Sequence, residues 1–429
     1  MGKHSKARAG GGAVAALAAI AALAPAAQAD FSGVNALRCT GDSINGRGAS
    51  FQRDAQAAWA KDFRENVTGG GCPTWQFTGQ NVTYEALGSG AGRTAFGRTN
   101  GVYDPAVRYA ASDEPPSPTE QATMEAGANG FHGDLHTIPA AAGSVAVVVN
   151  VPDGCAIPAA SRVGSGSTAR FQVPRATLEN AWAGDSAVDT WGELLPGIGG
   201  AGCDAKAVKR VVRLDSSGTT FAFKAYLHDV NTGRGWKALG NTAWPNDATN
   251  PVLRGSANGN GPLVAKVTET DGSIGYSDVS TARGAGFDER GSTDDDRYWI
   301  PVQNLSGDYE EPTADPSSHT NGNRGSNCGN TTFVGVPNNT QENWFNAEAS
   351  SQFGYPVCTL TYALAWDDYA TAYGNTVAEQ AKARSVKDYL TYVVSDQGQN
   401  VAQATDYSRL PSSILSKARA GVNAVGWNK

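Results

Sequence analysis

Val211-Val212-Arg213-Leu214-Asp215-Ser216-Ser217-Gly218-Thr219-Thr220-Phe221 joins the end of an apolar run to a helix-like stretch, Phe221 to Val230, and so reads as a strand-to-helix turn. Such a turn presents free backbone N–H groups at the positive end of a helix dipole. Gly218 lets an anion approach the backbone, Ser217 and Thr219 add hydroxyl donors, and Arg213 adds a planar guanidinium. The guest that suits these groups together is a tetrahedral oxyanion. Asp215 stands close enough along the chain to hold and orient the guanidinium.

Working outward, the same order of strand, glycine and hydroxyl, then helix recurs. Gly46-Arg47-Gly48-Ala49-Ser50 precedes Phe51, Ala55, Ala58, Trp59 and Phe63 at helical spacing, with Ser50 placed as N-cap. Val82 to Leu87 reads as a strand feeding Gly88-Ser89-Gly90-Ala91-Gly92, with a helix from Arg93. Arg108 to Asp113 is a short strand ending in a carboxylate and stopped by Pro115 and Pro116. Ser144 to Val151 has the β-branched composition of a buried parallel strand. Further helices are expected over Thr177–Trp182, Val377–Val394 and Ser412–Val422, and Gly272 to Tyr276 reads as a turn into a strand. Gly255 to Gly261 reads as a flexible Gly/Asn segment. This alternation indicates a mostly parallel α/β fold, in which ligands sit at the carboxyl ends of strands, where all these turns fall.

Residues Met1 to Ala29 have the form of a secretory signal: Lys3, Lys6 and Arg8, an apolar stretch from Ala13 to Leu23, and Ala27-Gln28-Ala29 as cleavage site. No Cys follows that site to carry a lipid, and no later run is long enough for a membrane span. The expected product is exported, without membrane insertion, into the cell envelope or the medium. Its mature part carries 31 Lys and Arg against 41 Asp and Glu, a charge near −10. That balance argues against nucleic acid as partner and requires any anion site to be local, built from pointed dipoles.

The six cysteines, an even count in an exported chain, read as disulfides. Sequential pairing is expected, Cys39 with Cys72, Cys155 with Cys203 and Cys328 with Cys358, because each pair lies within one stretch of the layout. No C-x-x-C occurs and the histidines are scattered, so neither a metal nor another cofactor is expected. His132-Gly133-Asp134-Leu135-His136 has metal-like spacing for a helix, but Gly133 opposes a helix there and an ordinary loop is expected.

Asp113 is the informative oddity, since a carboxylate repels a bound anion unless the anion carries a proton. Phosphate at neutral pH keeps a P–OH that can donate to an acceptor-only carboxylate, whereas sulfate has none. In a polar site this mismatch discriminates by ~10⁴–10⁵.

Gly46-x-Gly48-Ala49-Ser50-Phe51, Leu87-Gly88-Ser89-Gly90, Ala111-Ser112-Asp113, Arg213-x-Asp215-x-Ser217-Gly218-Thr219, Gly272-x-Ile274-Gly275-Tyr276 and Asp406-Tyr407-x-x-Leu410-Pro411 together resemble the motifs, in order, of the periplasmic-type phosphate-binding proteins that serve ABC importers. The resemblance implies a two-lobed, type II-like binding-protein fold, each lobe a mostly parallel sheet flanked by helices, with the ligand in the interlobe cleft. It implies inorganic phosphate as ligand, held by Ser50, the backbone of Phe51, Ser89, Asp113, Arg213, Ser217, Gly218 and Thr219. Asp215 would stand behind Arg213, no residue would be catalytic, and the partner would be an importer permease met by a monomer.

The expected division is 1–29 signal, 30–142 plus 359–429 as a discontinuous first lobe, and 143–358 as the second, with a loop insertion at about 305–341. Arg47, Glu114 and that insertion depart from the family pattern. Two other functions stay open on the residues alone: a secreted protein of this fold that scavenges or senses phosphate without a transporter, and a secreted phosphohydrolase. Against the latter, neither G-x-S-x-G nor G-x-x-x-x-G-K-[ST] occurs.

Overall fold

The computed structural model describes Met1 and residues 37–67, 69–73, 80–163, 170–288, 296–314 and 325–429. Residues 2–29 of the expected signal lie outside the described residues, as does 315–324 of the expected insertion. Nine strands form one curled sheet: β1 (Ile44–Gly48), β2 (Val82–Glu85), β3 (Tyr109–Ser112), β4 (Leu135–Asn150), β5 (Lys209–Val212), β6 (Leu253–Arg254), β7 (Ser273–Asp278), β8 (Arg297–Ile300) and β9 (Cys358–Trp366). Their order is β2-β1-β3-β9-β4-β7-β5-β6, with β8 also on β4.

β4 explains the two lobes. Every one of its 16 residues is buried. Its first part, to Ser144, pairs with β9, and from Val145 it pairs with β7 and, further on, β8. One strand thus crosses from one half of the sheet to the other, and the chain returns at Cys358. The outer strands of each half run parallel, β2, β1 and β3 in one and β5, β6 and β7 in the other. The Ser144–Val151 run expected as a parallel strand is the end of β4, which is antiparallel to all its neighbours. Burial on both faces made it apolar, and composition does not record direction. His136, expected in a loop, is the second residue of β4, where its Nδ1 lies 2.7 Å from Thr340 Oγ1 and its Nε2 3.0 Å from Asp367 Oδ1.

Pro139 interrupts the β4–β9 ladder because it has no N–H to donate. Tyr362 pairs with Pro139 and Thr361 with Ala141, so Ala140 is extra and the register shifts there. The bulge re-aims the side chains around Thr361.

Disulfides join Cys39 to Cys72, Cys155 to Cys203 and Cys328 to Cys358. The last ties the 305–341 excursion to the start of β9. That excursion leaves the second half of the sheet and leans on the first: Thr137 N–H donates to Thr340 O at 2.7 Å, and the buried Trp344 just beyond it packs edge-on to Tyr362 at 5.8 Å. Among the described residues no helix is long and apolar enough to cross a membrane.

Candidate anion site between the lobes

Four helices start at the carboxyl ends of strands and point their first turns into the cleft: α1 (Arg53–Glu65), α2 (Ser89–Ala95), α3 (Gly218–Val230) and α4 (Asn260–Thr268). The expected start of α2 is Arg93, whereas the helix begins at Ser89. Its earlier start puts Ser89 in the first turn and turns its hydroxyl toward β3. β1 ends at Gly48, with φ +147°, where a Cβ would lie 1.9 Å from Ala111 O. Only glycine permits that approach.

Ser50 is not an N-cap. It begins a 3-10 turn over Ser50–Gln52 that leads into α1, and its Oγ accepts from the backbone N–H of Asn260 at 3.1 Å, across the cleft. Phe51, beside it, offers its carbonyl to Tyr407 OH.

Asp113, after β3, is almost fully buried. Its Oδ1 accepts from Thr361 Oγ1 at 2.6 Å and its Oδ2 from Ser89 Oγ at 3.1 Å, while its own N–H donates to Ser89 Oγ at 3.0 Å. Burial pushes the Asp113 carboxyl up to about 7, against the lowering effect of those hydroxyls and of Arg213.

From the other lobe, Ser217 caps α3 by accepting from Thr220 N–H at 3.1 Å. Gly218 then abuts the first lobe directly, since a Cβ there would lie 2.6 Å from Asp113 Cβ, Glu114 N and Ser89 Oγ. Arg213 is buried against the half-buried Asp215: Nε donates to Oδ1 at 2.8 Å and Nη2 to Oδ2 at 2.6 Å. Nη1 donates to Asn260 Oδ1. Of the five guanidinium N–H groups, one on each terminal nitrogen is left, a pair suited to a tetrahedral oxyanion.

The structure therefore brings Ser50, Phe51, Ser89, Asp113, Arg213, Ser217, Gly218 and Thr219 to one seam between the lobes, and sets Asp215 against Arg213. Three further residues belong to the cluster. Asn260 is wholly buried and donates through Nδ2 to Asp278 Oδ1 at 2.5 Å and to Thr219 Oγ1 at 3.3 Å. Asp278, at the end of β7, is pushed by burial up to about 6. Thr361 also accepts from Gln52 Nε2 at 2.6 Å. Asn260 had a sequence signal: the Gly255–Gly261 segment follows the short β6 and precedes a helix, the same order as the other turns. Thr361 had none, because its partner Asp113 is 248 residues away.

The departures are accommodated locally. Glu114 pairs with Arg93 at 2.7 Å and accepts from Asn241 Nδ2 of the second lobe. Arg47 pairs with Glu85 and Asp104, each at 2.6 Å. At the seam the Arg213 guanidinium thus lies by Asp113 and Asp215 and is linked through Asn260 to Asp278, which also feels Arg53 of α1. With no excess of positive charge, an anion here depends on hydroxyl and N–H dipoles and on bringing its own proton.

A two-lobed α/β protein whose helix N-termini and hydroxyls converge at the seam has the architecture of the periplasmic-type binding proteins. A PBP superfamily domain model matches residues 33–397, and the chain belongs to that superfamily. It is 25% identical over 402 residues to the "Phosphate-binding protein PstS" of Pasteurella multocida, covering 90% of this chain and 91% of that one. The protein of the same name from Methanocaldococcus jannaschii is 24% identical over 402 residues, covering 90% and 86%. The fold is shared with a high affinity periplasmic phosphate-binding protein bound with phosphate, PfluDING, at a TM-score of 0.56 and 21% identity, covering 88% and 93%. It is also shared with a human phosphate binding apolipoprotein, at 0.57 and 20% over the same shares. These relatives are named as binding proteins.

Proposed function

We propose that this protein captures inorganic phosphate reversibly, without chemistry, outside the cytoplasmic membrane, and delivers it as a monomer to the permease of an ABC importer. Lobes of 30–142 plus 359–429 and of 143–358 close on the ion by hinge motion where β4 changes partner and where the chain returns at Cys358. Ser50, Phe51 N–H, Ser89 N–H, Ser217, Gly218 N–H and Thr219 donate to phosphate oxygens, and Arg213 supplies its remaining N–H pair. Asp113 accepts the P–OH.

One observation carries this reading: both Asp113 oxygens are held by hydroxyl donors while Gly218, at the start of α3, packs from the opposite lobe so closely that a Cβ there would lie 2.6 Å from Asp113 Cβ and Ser89 Oγ. A carboxylate buried at an anion seam is useful only to a guest that can donate. The names of the curated relatives support the same ligand.

Thermal denaturation of protein stripped of bound anion tests it. Phosphate at roughly 1,000 times its dissociation constant should add ~4 kcal/mol of stability, and sulfate at the same concentration almost none. Equal shifts from the two ions, or none from phosphate, would remove the reading.

A further inference from the structure

We infer that Asn260 is a positioning residue of the site, one that holds the Arg213 fork toward the cleft with its side chain and joins that arrangement to Ser50 of the other lobe with its backbone N–H. The inference rests on the phosphate reading above.

The amide is used on both sides, which fixes its orientation. Oδ1 accepts from Arg213 Nη1, and Nδ2 donates to Asp278 Oδ1 and Thr219 Oγ1. Asp278 is itself held by Thr281 N–H, which donates to its Oδ2 at 2.7 Å. Asp215 grips the guanidinium from the Nε side and is steadied by Gly259 N–H at 3.2 Å. Asp215 and Asn260 thus hold Arg213 from two directions, and both contacts meet the first turn of α4. The backbone N–H of the same Asn260 reaches Ser50 Oγ. Closing the lobes and setting the guanidinium are therefore one event at one residue.

The charged groups around Asn260 make a specific test possible. They are Asp278 from β7, Arg213 and Asp215 from the turn after β5, Arg53 of α1, whose Nη1 would lie 3.4 Å from a Cβ on Gly261, and, further off, Asp54 and Asp113. An ionised Asp at 260 would face Asp278 without a proton between them. A protonated Asp would restore the acceptor toward Arg213 Nη1 and the donor toward Asp278, losing only the longer contact to Thr219 Oγ1.

The experiment measures phosphate association and dissociation rates for the wild type, Asn260→Ala and Asn260→Asp, at about pH 8 and about pH 5.5, with melting curves to confirm folding. Each variant is compared with the wild type at the same pH, so the ionisation of phosphate cancels. Asn260→Ala should release phosphate roughly tenfold faster or more, with association little changed. Asn260→Asp should show a large affinity deficit at the higher pH that shrinks at the lower one. If Asn260→Ala releases phosphate at the wild-type rate, or the Asn260→Asp deficit is the same at both pH values, the inference is wrong while phosphate binding stands. If Asn260→Ala does not fold, the pH ratio of Asn260→Asp decides alone. A wild type that binds no phosphate overturns the reading beneath it instead.

Discussion

Replacing Asp113 by Asn removes the charge and turns one acceptor into a donor while keeping the shape. In the native arrangement both oxygens already receive hydroxyl protons, from Thr361 and Ser89. Thr361 Oγ1 also accepts from Gln52, and Ser89 Oγ also accepts from Asp113 N–H, so each hydroxyl is held with its single proton turned to the carboxylate. Wherever the new NH₂ points, one hydroxyl loses its acceptor or the phosphate P–OH does. Losing a hydrogen bond to a charged group costs ~1.5–3 kcal/mol, or roughly 10–150-fold in phosphate affinity. Sulfate moves the other way, because an NH₂ can donate to it where a carboxylate repelled it. The phosphate-to-sulfate preference, expected at ~10⁴–10⁵ in the wild type, should therefore fall by about two orders of magnitude or more. Competition calorimetry of phosphate against sulfate reads both arms. An Asp113→Asn protein with an unchanged preference would refute the assignment of Asp113 as proton acceptor.

Gly218→Ala should bind phosphate far more weakly while staying folded, because its Cβ would meet Asp113 Cβ at 2.6 Å and hold the lobes apart; small-angle scattering with phosphate should show it failing to compact. Arg213→Lys should lose about two orders of magnitude in affinity, since an ammonium cannot serve Asp215, Asn260 and a bidentate anion together, and calorimetry measures it. Burial raises the Asp113 and Asp278 carboxyls in the fold from the ordinary 3.8 to about 7 and about 6. Their stabilising contribution is complete below the unfolded value and is lost as pH rises through the folded values. Stripped protein should thus lose stability, on the order of a few kcal/mol, between about pH 4 and pH 7, and Asp278→Asn should flatten part of that slope in melting curves. Replacing both Cys328 and Cys358 by Ser should lower the melting temperature, by an amount equivalent to about 2–5 kcal/mol, while changing phosphate affinity little.

Turns that obey local rules were readable in the sequence. Arg213 to Thr219 shows its hydroxyl cap, its glycine and its guanidinium in one short stretch, and Ser89 and Asp113 follow their strands in the same way. What sequence could not supply was contact between distant segments. Ser50 looked like a cap because it precedes a helix, yet its hydroxyl serves Asn260, 210 residues on. Thr361 reaches Asp113 through a bulge that starts at Pro139, on a different strand. The direction of β4 was hidden for a related reason: a strand buried on both faces carries the same apolar run whether its neighbours are parallel or antiparallel. Glu114, a departure from the family pattern beside Asp113, forms an ordinary ion pair with Arg93, a contact its neighbours in sequence do not reveal.

Isothermal titration of the stripped wild-type protein with phosphate and with sulfate, in one buffer near neutral pH, puts the protonated-guest site to its plainest test. Phosphate should saturate a single site, with sulfate weaker by ~10⁴ or more. Comparable binding of the two ions, or no heat from either, would contradict a seam in which Asp113 receives the proton of the anion it helps to hold.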